Sequence, residues 1–98
     1  MNDATALRQT AVVGSRVGLH ARPVAMIAKA AGTMQAKVRI GRDGRDPVDA
    51  RSTLLLMTLG ARCGDEVVVE ADGEGAAEAL AAIVDLVQRD LDADGESR

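Results

Sequence analysis

Gly18-Leu19-His20-Ala21-Arg22-Pro23-Val24-Ala25-Met26-Ile27-Ala28-Lys29-Ala30-Ala31-Gly32 passes from loop to helix, and its reading organises the rest of the chain. Residues 21–31 are nearly all good helix formers, and Val24, Ile27, Ala28 and Ala31 recur at the spacing of one buried helical face. Pro23 falls in the first turn, where its missing N–H removes no intrahelical bond. Gly32 is the expected stop. Lys29 stands in the last turn, where a cation meets the negative end of the helix dipole. Ahead of the helix, Gly14-Ser15-Arg16-Val17-Gly18-Leu19 carries two glycines in a short span and reads as a loop.

Outward from this stretch the pattern alternates. Leu7 to Val13, containing Val12-Val13 and stopped by Gly14, is predicted as a first strand. Lys37-Val38-Arg39-Ile40 alternates polar and apolar, as a half-buried strand does. The polar run Gly41 to Asp46 reads as a hairpin connection, with Pro47-Val48-Asp49 as a short return strand that the proline places at an edge or strand start. Ser52 to Leu59 is predicted as a short helix with Ser52 as N-cap and Gly60 past its end. Its Leu54-Leu55-Leu56-Met57 run is apolar on more faces than so short a helix can bury, which predicts an exposed docking patch. Glu66 to Glu70 is the clearest strand. Ala76, Leu80, Ile83, Val84, Val87 and Leu91 mark one apolar helical stripe. The order β-α-β-β-α-β-α predicts an α+β fold, an antiparallel or mixed sheet with helices on one face. Residues 1–98 fit one domain with a core of about 7–91 and polar, mobile termini.

Composition narrows the function. Hydrophobic residues make up 47% and charged residues 28% of the chain, an ordinary globular balance. Phe, Trp and Tyr are absent, so the core is built from Val, Leu, Ile, Met and Ala, and the stacking platforms of single-strand nucleic-acid binders are missing. A net charge of −3 does not suit a phosphate-backbone binder either, so no nucleic-acid partner is expected. The single cysteine, Cys63, cannot form an internal disulfide. The first residues lack a basic region followed by an apolar run, and no apolar stretch approaches the roughly 20 residues of a membrane span. The chain reads as soluble and cytoplasmic, without membrane insertion, and nothing demands more than a monomer.

His20 is the only histidine and stands at the loop-to-helix boundary. The first amides of a helix have no intrahelical acceptor and carry partial positive charge, so they receive anions readily. Neutral imidazole is a nucleophile towards phosphorus. A phosphoryl group gained there would lie beside free amides and the guanidinium of Arg22, which can grip two oxygens at once. A histidine at a helix start also serves as a plain polar cap; Gly18, Arg22 and Pro23 around it favour chemistry. One histidine and a distant Cys63 do not make a zinc site, and neither metal nor cofactor is expected. Gly14-Ser15-Arg16-Val17-Gly18 lacks the ending of a nucleotide-binding loop, and nothing resembles a nucleophile elbow.

Gly18-Leu19-His20-Ala21-Arg22-Pro23 resembles the phosphorylation-site signature of HPr, the histidine-containing phosphocarrier family of the bacterial sugar phosphotransferase system. Ala50-Arg51-Ser52-Thr53-Leu54-Leu55-Leu56-Met57-Thr58-Leu59-Gly60 is similar to the family's regulatory-serine helix, with Ser52 at the serine position. The likeness spans roughly residues 7 to 91. It implies an open-faced antiparallel β-sandwich, three helices over a four-stranded sheet. It implies that Enzyme I, itself phosphorylated by phosphoenolpyruvate, phosphorylates Nδ1 of His20, and that a IIA domain of a sugar permease receives the group. Arg22 would steady the phosphoryl group, and Lys29, Thr53, Leu54 and Met57 would lie on the face both partners use. Such a protein is consumed and regenerated like a cosubstrate and is not an enzyme.

Arg51, Thr53 and Leu55 depart from residues common in serine-regulated relatives. Ser52 has a plain role as an N-cap; phosphorylated, it would repel an acidic partner from the same face. A serine kinase and a transcriptional regulator are the partners that regulation would add. Two other readings share the residues: a regulatory adaptor, and a carrier of a parallel phosphorelay of nitrogen-linked or dihydroxyacetone kinase type. A hydrolase using His20 as base lacks a companion nucleophile or orienting carboxylate nearby.

Overall fold

The segment with the plainest alternation ends up in the middle of the sheet. In the computed structural model, which describes residues 6–91, the strands are β1 (Leu7–Val12), β2 (Lys37–Arg42), β3 (Arg45–Asp49) and β4 (Glu66–Asp72). The helices are α1 (Ala21–Gly32), α2 (Thr53–Thr58) and α3 (Ala76–Gln88). The expected mobile stretches, residues 1–5 and the tail after Leu91, lie outside the described residues. All strand pairs are antiparallel, in the order β1-β4-β2-β3.

Val67, Val69 and Ala71 of β4 point to one face and are fully buried, together with Ala11 of β1 and Val38 and Ile40 of β2. The helices cover that face. α3 packs on β1 and β4, α1 on α3 and α2, and α2 reaches β3. Val24, Ile27 and Ala31 of α1 and Ala79, Ile83 and Val87 of α3 meet the strands in one aliphatic core. Burying an aliphatic side chain of this size stabilises by about 1.5–3 kcal/mol. The other face of the sheet is open and charged. Across it Arg8 stands opposite Glu70, Glu70 opposite Arg39, and Arg39 opposite Asp49, so signs alternate from strand to strand. The architecture is the open-faced antiparallel sandwich expected from the sequence.

Three details differ from expectation. α1 runs through Gly32, and Thr33 caps it in a right-handed conformation, its hydroxyl donating to the Ala30 carbonyl at 2.7 Å; the hydroxyl does what a left-handed glycine would otherwise do. The β2–β3 connection is shorter than the polar run Gly41 to Asp46 suggests. The strands reach Arg42 and Arg45, leaving only Asp43-Gly44 as the turn, with Gly44 at φ +82°. Between the Ile40–Val48 and Arg42–Arg45 pairs β3 carries one residue more than β2, a bulge beside Pro47 on the edge strand. Third, the apolar stripe of α3 outlasts the helix. α3 ends at Gln88 because Arg89 is extended, yet Leu91 remains buried. The buried Ser15 hydroxyl receives the Leu91 N–H at 3.1 Å and donates to the Arg89 carbonyl at 3.3 Å, fastening this segment to the loop ahead of His20.

Candidate functional site

His20 is the N-cap of α1, with extended backbone (φ −119°, ψ −171°). Its Nδ1 accepts a hydrogen bond from the Ala21 N–H at 2.9 Å. An atom that accepts from an N–H must present a lone pair, so Nδ1 is the unprotonated nitrogen in this arrangement and a neutral ring carries its proton on Nε2. The Arg22 N–H has no acceptor among the described residues. Pro23 has no N–H to offer, and the Val24 N–H returns to the His20 carbonyl at 3.0 Å. The helix therefore presents two adjacent donors, Ala21 and Arg22, to whatever sits at the imidazole. His20 and Arg22 are both exposed, and no carboxylate among the described residues pairs with Arg22.

Contacts from distant parts of the chain fix the backbone that carries the ring. The His20 N–H donates to the Gly18 carbonyl and the Leu19 N–H to the Ala61 carbonyl, both at 2.9 Å. Leu19 is buried beneath. Gly18 sits at φ +76°, and a Cβ there would lie 2.5 Å from the Ala61 oxygen, so this position excludes any side chain twice over. A shallow hollow of about 230 Å³ opens beside the ring, lined by Val17, Leu19, His20, Met57, Gly60 and Ala61.

The structure thus brings Met57 to His20, while Arg22 lies on the same helical turn. The other residues expected on the partner face lie outside this hollow. Lys29 is exposed at the far end of α1, about 14 Å along the axis from His20. Thr53 and Leu54 are exposed in the first turn of α2, which packs beside α1; Leu54 is 69% exposed and Leu55, which sequence reasoning left out of the site, 42%. Ser52 caps α2 by accepting from the Leu55 N–H at 3.1 Å. The Arg51 guanidinium, hydrogen bonded to Asp49 just upstream, holds that carboxyl below the ordinary aspartate range. Val17, 58% exposed on the rim, was also missed; its signal is an apolar residue stranded in a short loop between two glycines. Among the described residues no three His, Cys, Asp or Glu side chains cluster as a metal site would require, and no helix is long and apolar enough to cross a membrane.

An open-faced α+β sandwich whose first helix is capped by an exposed imidazole defines the structural class. The chain belongs to the HPr family of phosphocarrier proteins: the family model described as the PTS HPr component phosphorylation site matches residues 7–89. Phosphocarrier protein HPr of Streptomyces coelicolor is 40% identical over 80 residues, covering 82% of this chain and 86% of that one. Phosphocarrier protein NPr of Escherichia coli K12 is 31% identical over 88 residues, covering 90% and 98%. The crystal structure of a phosphocarrier protein HPr from Bacillus anthracis superposes with a TM-score of 0.80 at 31% identity, over 85% of this chain and 98% of the other.

Proposed function

We propose that His20 is the residue through which this phosphocarrier works in the sugar phosphotransferase system, accepting from Enzyme I and delivering to a IIA domain. The Nδ1 lone pair attacks phosphorus, the donor's bond to phosphorus breaks as the Nδ1–P bond forms, and the ring proton stays on Nε2. Delivery reverses these steps onto the acceptor's nucleophile. The observation that carries the reading is the 2.9 Å bond from the Ala21 N–H to Nδ1. Once that lone pair bonds phosphorus, the Ala21 N–H is released and joins the free Arg22 N–H in donating to phosphoryl oxygens. The Arg22 guanidinium, without a competing carboxylate, then grips the group from solvent.

The same reading gives the neighbouring residues roles. Met57, Thr53 and Leu54 form a small apolar docking face, with Lys29 as a cationic contact beyond it. Such a face suits partners that must exchange quickly, because small interfaces release fast. Ser52 acts as an N-cap, and the chain serves its partners as a cosubstrate, with catalysis supplied by them. Residues 7–91 work as one domain in the cytoplasm.

The test is incubation with Enzyme I and labelled phosphoenolpyruvate, followed by mapping of the label. An acid-labile, alkali-stable label on His20, lost in His20→Ala with the fold intact, supports the assignment; an acid-stable label on Ser52, or normal acceptance by the variant, overturns it. A second reading, a carrier in a parallel phosphorelay, draws support from the NPr relatives that match over nearly their whole length. The higher identity to HPr relatives favours the sugar system, and delivery to IIA domains of the two systems, compared side by side, decides between them.

A further inference from the structure

The β2–β3 hairpin reaches across to the segment that supports the imidazole. Arg42 continues the inward alternation of Val38 and Ile40 past the end of the apolar core, where α2 finishes. Its guanidinium donates through Nη1 to the Leu59 carbonyl at 3.1 Å and through Nη2 to Asp65 Oδ2 at 3.2 Å. The same Asp65 oxygen accepts the Arg62 N–H at 2.9 Å. Arg45, from the other side of the turn, donates to the Thr58 carbonyl at 2.6 Å. The last carbonyls of α2, which have no intrahelical donor, are therefore held by two guanidinium groups from one hairpin. Between Leu59 and Asp65 lie Gly60 and Ala61, which line the hollow at His20, and the Ala61 carbonyl is the acceptor for Leu19, the residue directly before His20.

We infer that Arg42 is a positioning residue for phosphoryl transfer: by tying Leu59 to Asp65 it fixes the Ala61 carbonyl that aligns Leu19 and, through it, the imidazole of His20. This rests on His20 being the acceptor. A planar fork spanning two acceptors does this where a single ammonium cannot, because lysine reaches one of them as a point charge. Arg42 is half-buried, lies outside the hollow and does not touch the reacting atoms, so its effect passes entirely through the 59–65 segment.

The experiment compares wild type, Arg42→Gln and Arg42→Lys in single-turnover transfer from phosphorylated Enzyme I, with amide exchange at Leu19, the imidazole nitrogen resonances of His20 and the unfolding midpoint read on the same samples. The expected result for Arg42→Gln is a transfer rate about tenfold lower at saturating donor, since small misplacements of a reacting group carry penalties of that order, with the concentration dependence on Enzyme I altered less than about twofold. Its Leu19 amide exchanges faster and its His20 resonances move while the domain stays folded, and Arg42→Lys falls between the two. A wild-type rate in Arg42→Gln, unchanged Leu19 and His20 signals, or a loss confined to the donor-concentration dependence overturns the inference. Should Arg42→Gln fail to fold, Arg42→Lys takes the same readings, and wild-type values in it are equally fatal. If wild type itself takes no label on His20, the acceptor assignment falls; if wild type labels there and the variants match it, only the role of Arg42 falls.

Discussion

α1 and α2 both begin on a polar side chain that accepts from the helix, yet they close differently. At α2 the Ser52 hydroxyl reaches three residues ahead to the Leu55 N–H, the usual capping distance. At α1 the His20 ring turns to the very next amide, that of Ala21, leaves the Arg22 N–H without an acceptor, and is followed by a proline with none to give. The ring of His20 takes up the first amide of its helix and leaves one without an acceptor, whereas the hydroxyl of Ser52 takes up the third and leaves two, those of Thr53 and Leu54, among the described residues. A cap that only stabilises would satisfy donors further along the turn; a cap that must exchange its own bond for one to a ligand keeps them close and few.

Replacing the ring by a hydroxyl is the strongest test. In His20→Ser the hydroxyl has no third amide to accept from, because Pro23 stands where α2 has Leu55, and transfer from Enzyme I should vanish while the domain stays folded; retained transfer would break the contrast. Arg22→Ala should slow transfer about tenfold, the scale of one lost charge-assisted contact, at unchanged stability, with Arg22→Lys recovering only part of the rate. Rapid-quench measurement of the phosphorylated fraction distinguishes these outcomes. At the start of α2 the effect should reverse in kind: Ser52→Ala should cost about 1 kcal/mol in denaturant unfolding and leave the rate of His20 labelling near wild type.

The smallest effect concerns pH. The Asp49 carboxyl, held low chiefly by the Arg51 side-chain hydrogen bond, binds its proton less readily folded than unfolded. Its contribution is therefore complete above the ordinary aspartate value near 4 (roughly) and is lost as pH falls below that through the folded value. The stability gap between wild type and Asp49→Asn should be constant from neutral pH to about 5 and then shrink with acid, by a modest amount because the pair is well exposed to solvent. A gap that stays constant into acid would show that the turn before Ser52 does not depend on this charge.

Much of this was legible in the chain. Every element type followed from periodicity, caps and turn residues, Pro47 marked an edge or strand start, and Gly18 through Pro23 pointed to the candidate site, because these are local patterns imposed by steric and burial rules acting over a few residues. The misses share a physical cause. Thr33 displaced Gly32 as the stop through a hydroxyl bond visible only once the helix is built. Leu91 stays buried past its helix because Ser15, remote in sequence, receives its N–H. Arg42 and Asp65 meet across a hairpin and a helix, and no spacing rule links residues so far apart. The hollow likewise needs α2 folded back against the loop, so Val17 and Met57 become neighbours of His20 only in three dimensions.

The strand order has a consequence for how the protein is made. β4, which pairs with both β1 and β2, lies late in the chain, so a growing polypeptide has only the β2–β3 hairpin available as sheet until residue 72 has left the ribosome. The Ala61 carbonyl that steadies the loop before His20 also arrives late. A nascent fragment that ends before Ala61 therefore displays His20 without the contact that holds the Leu19 amide beside it.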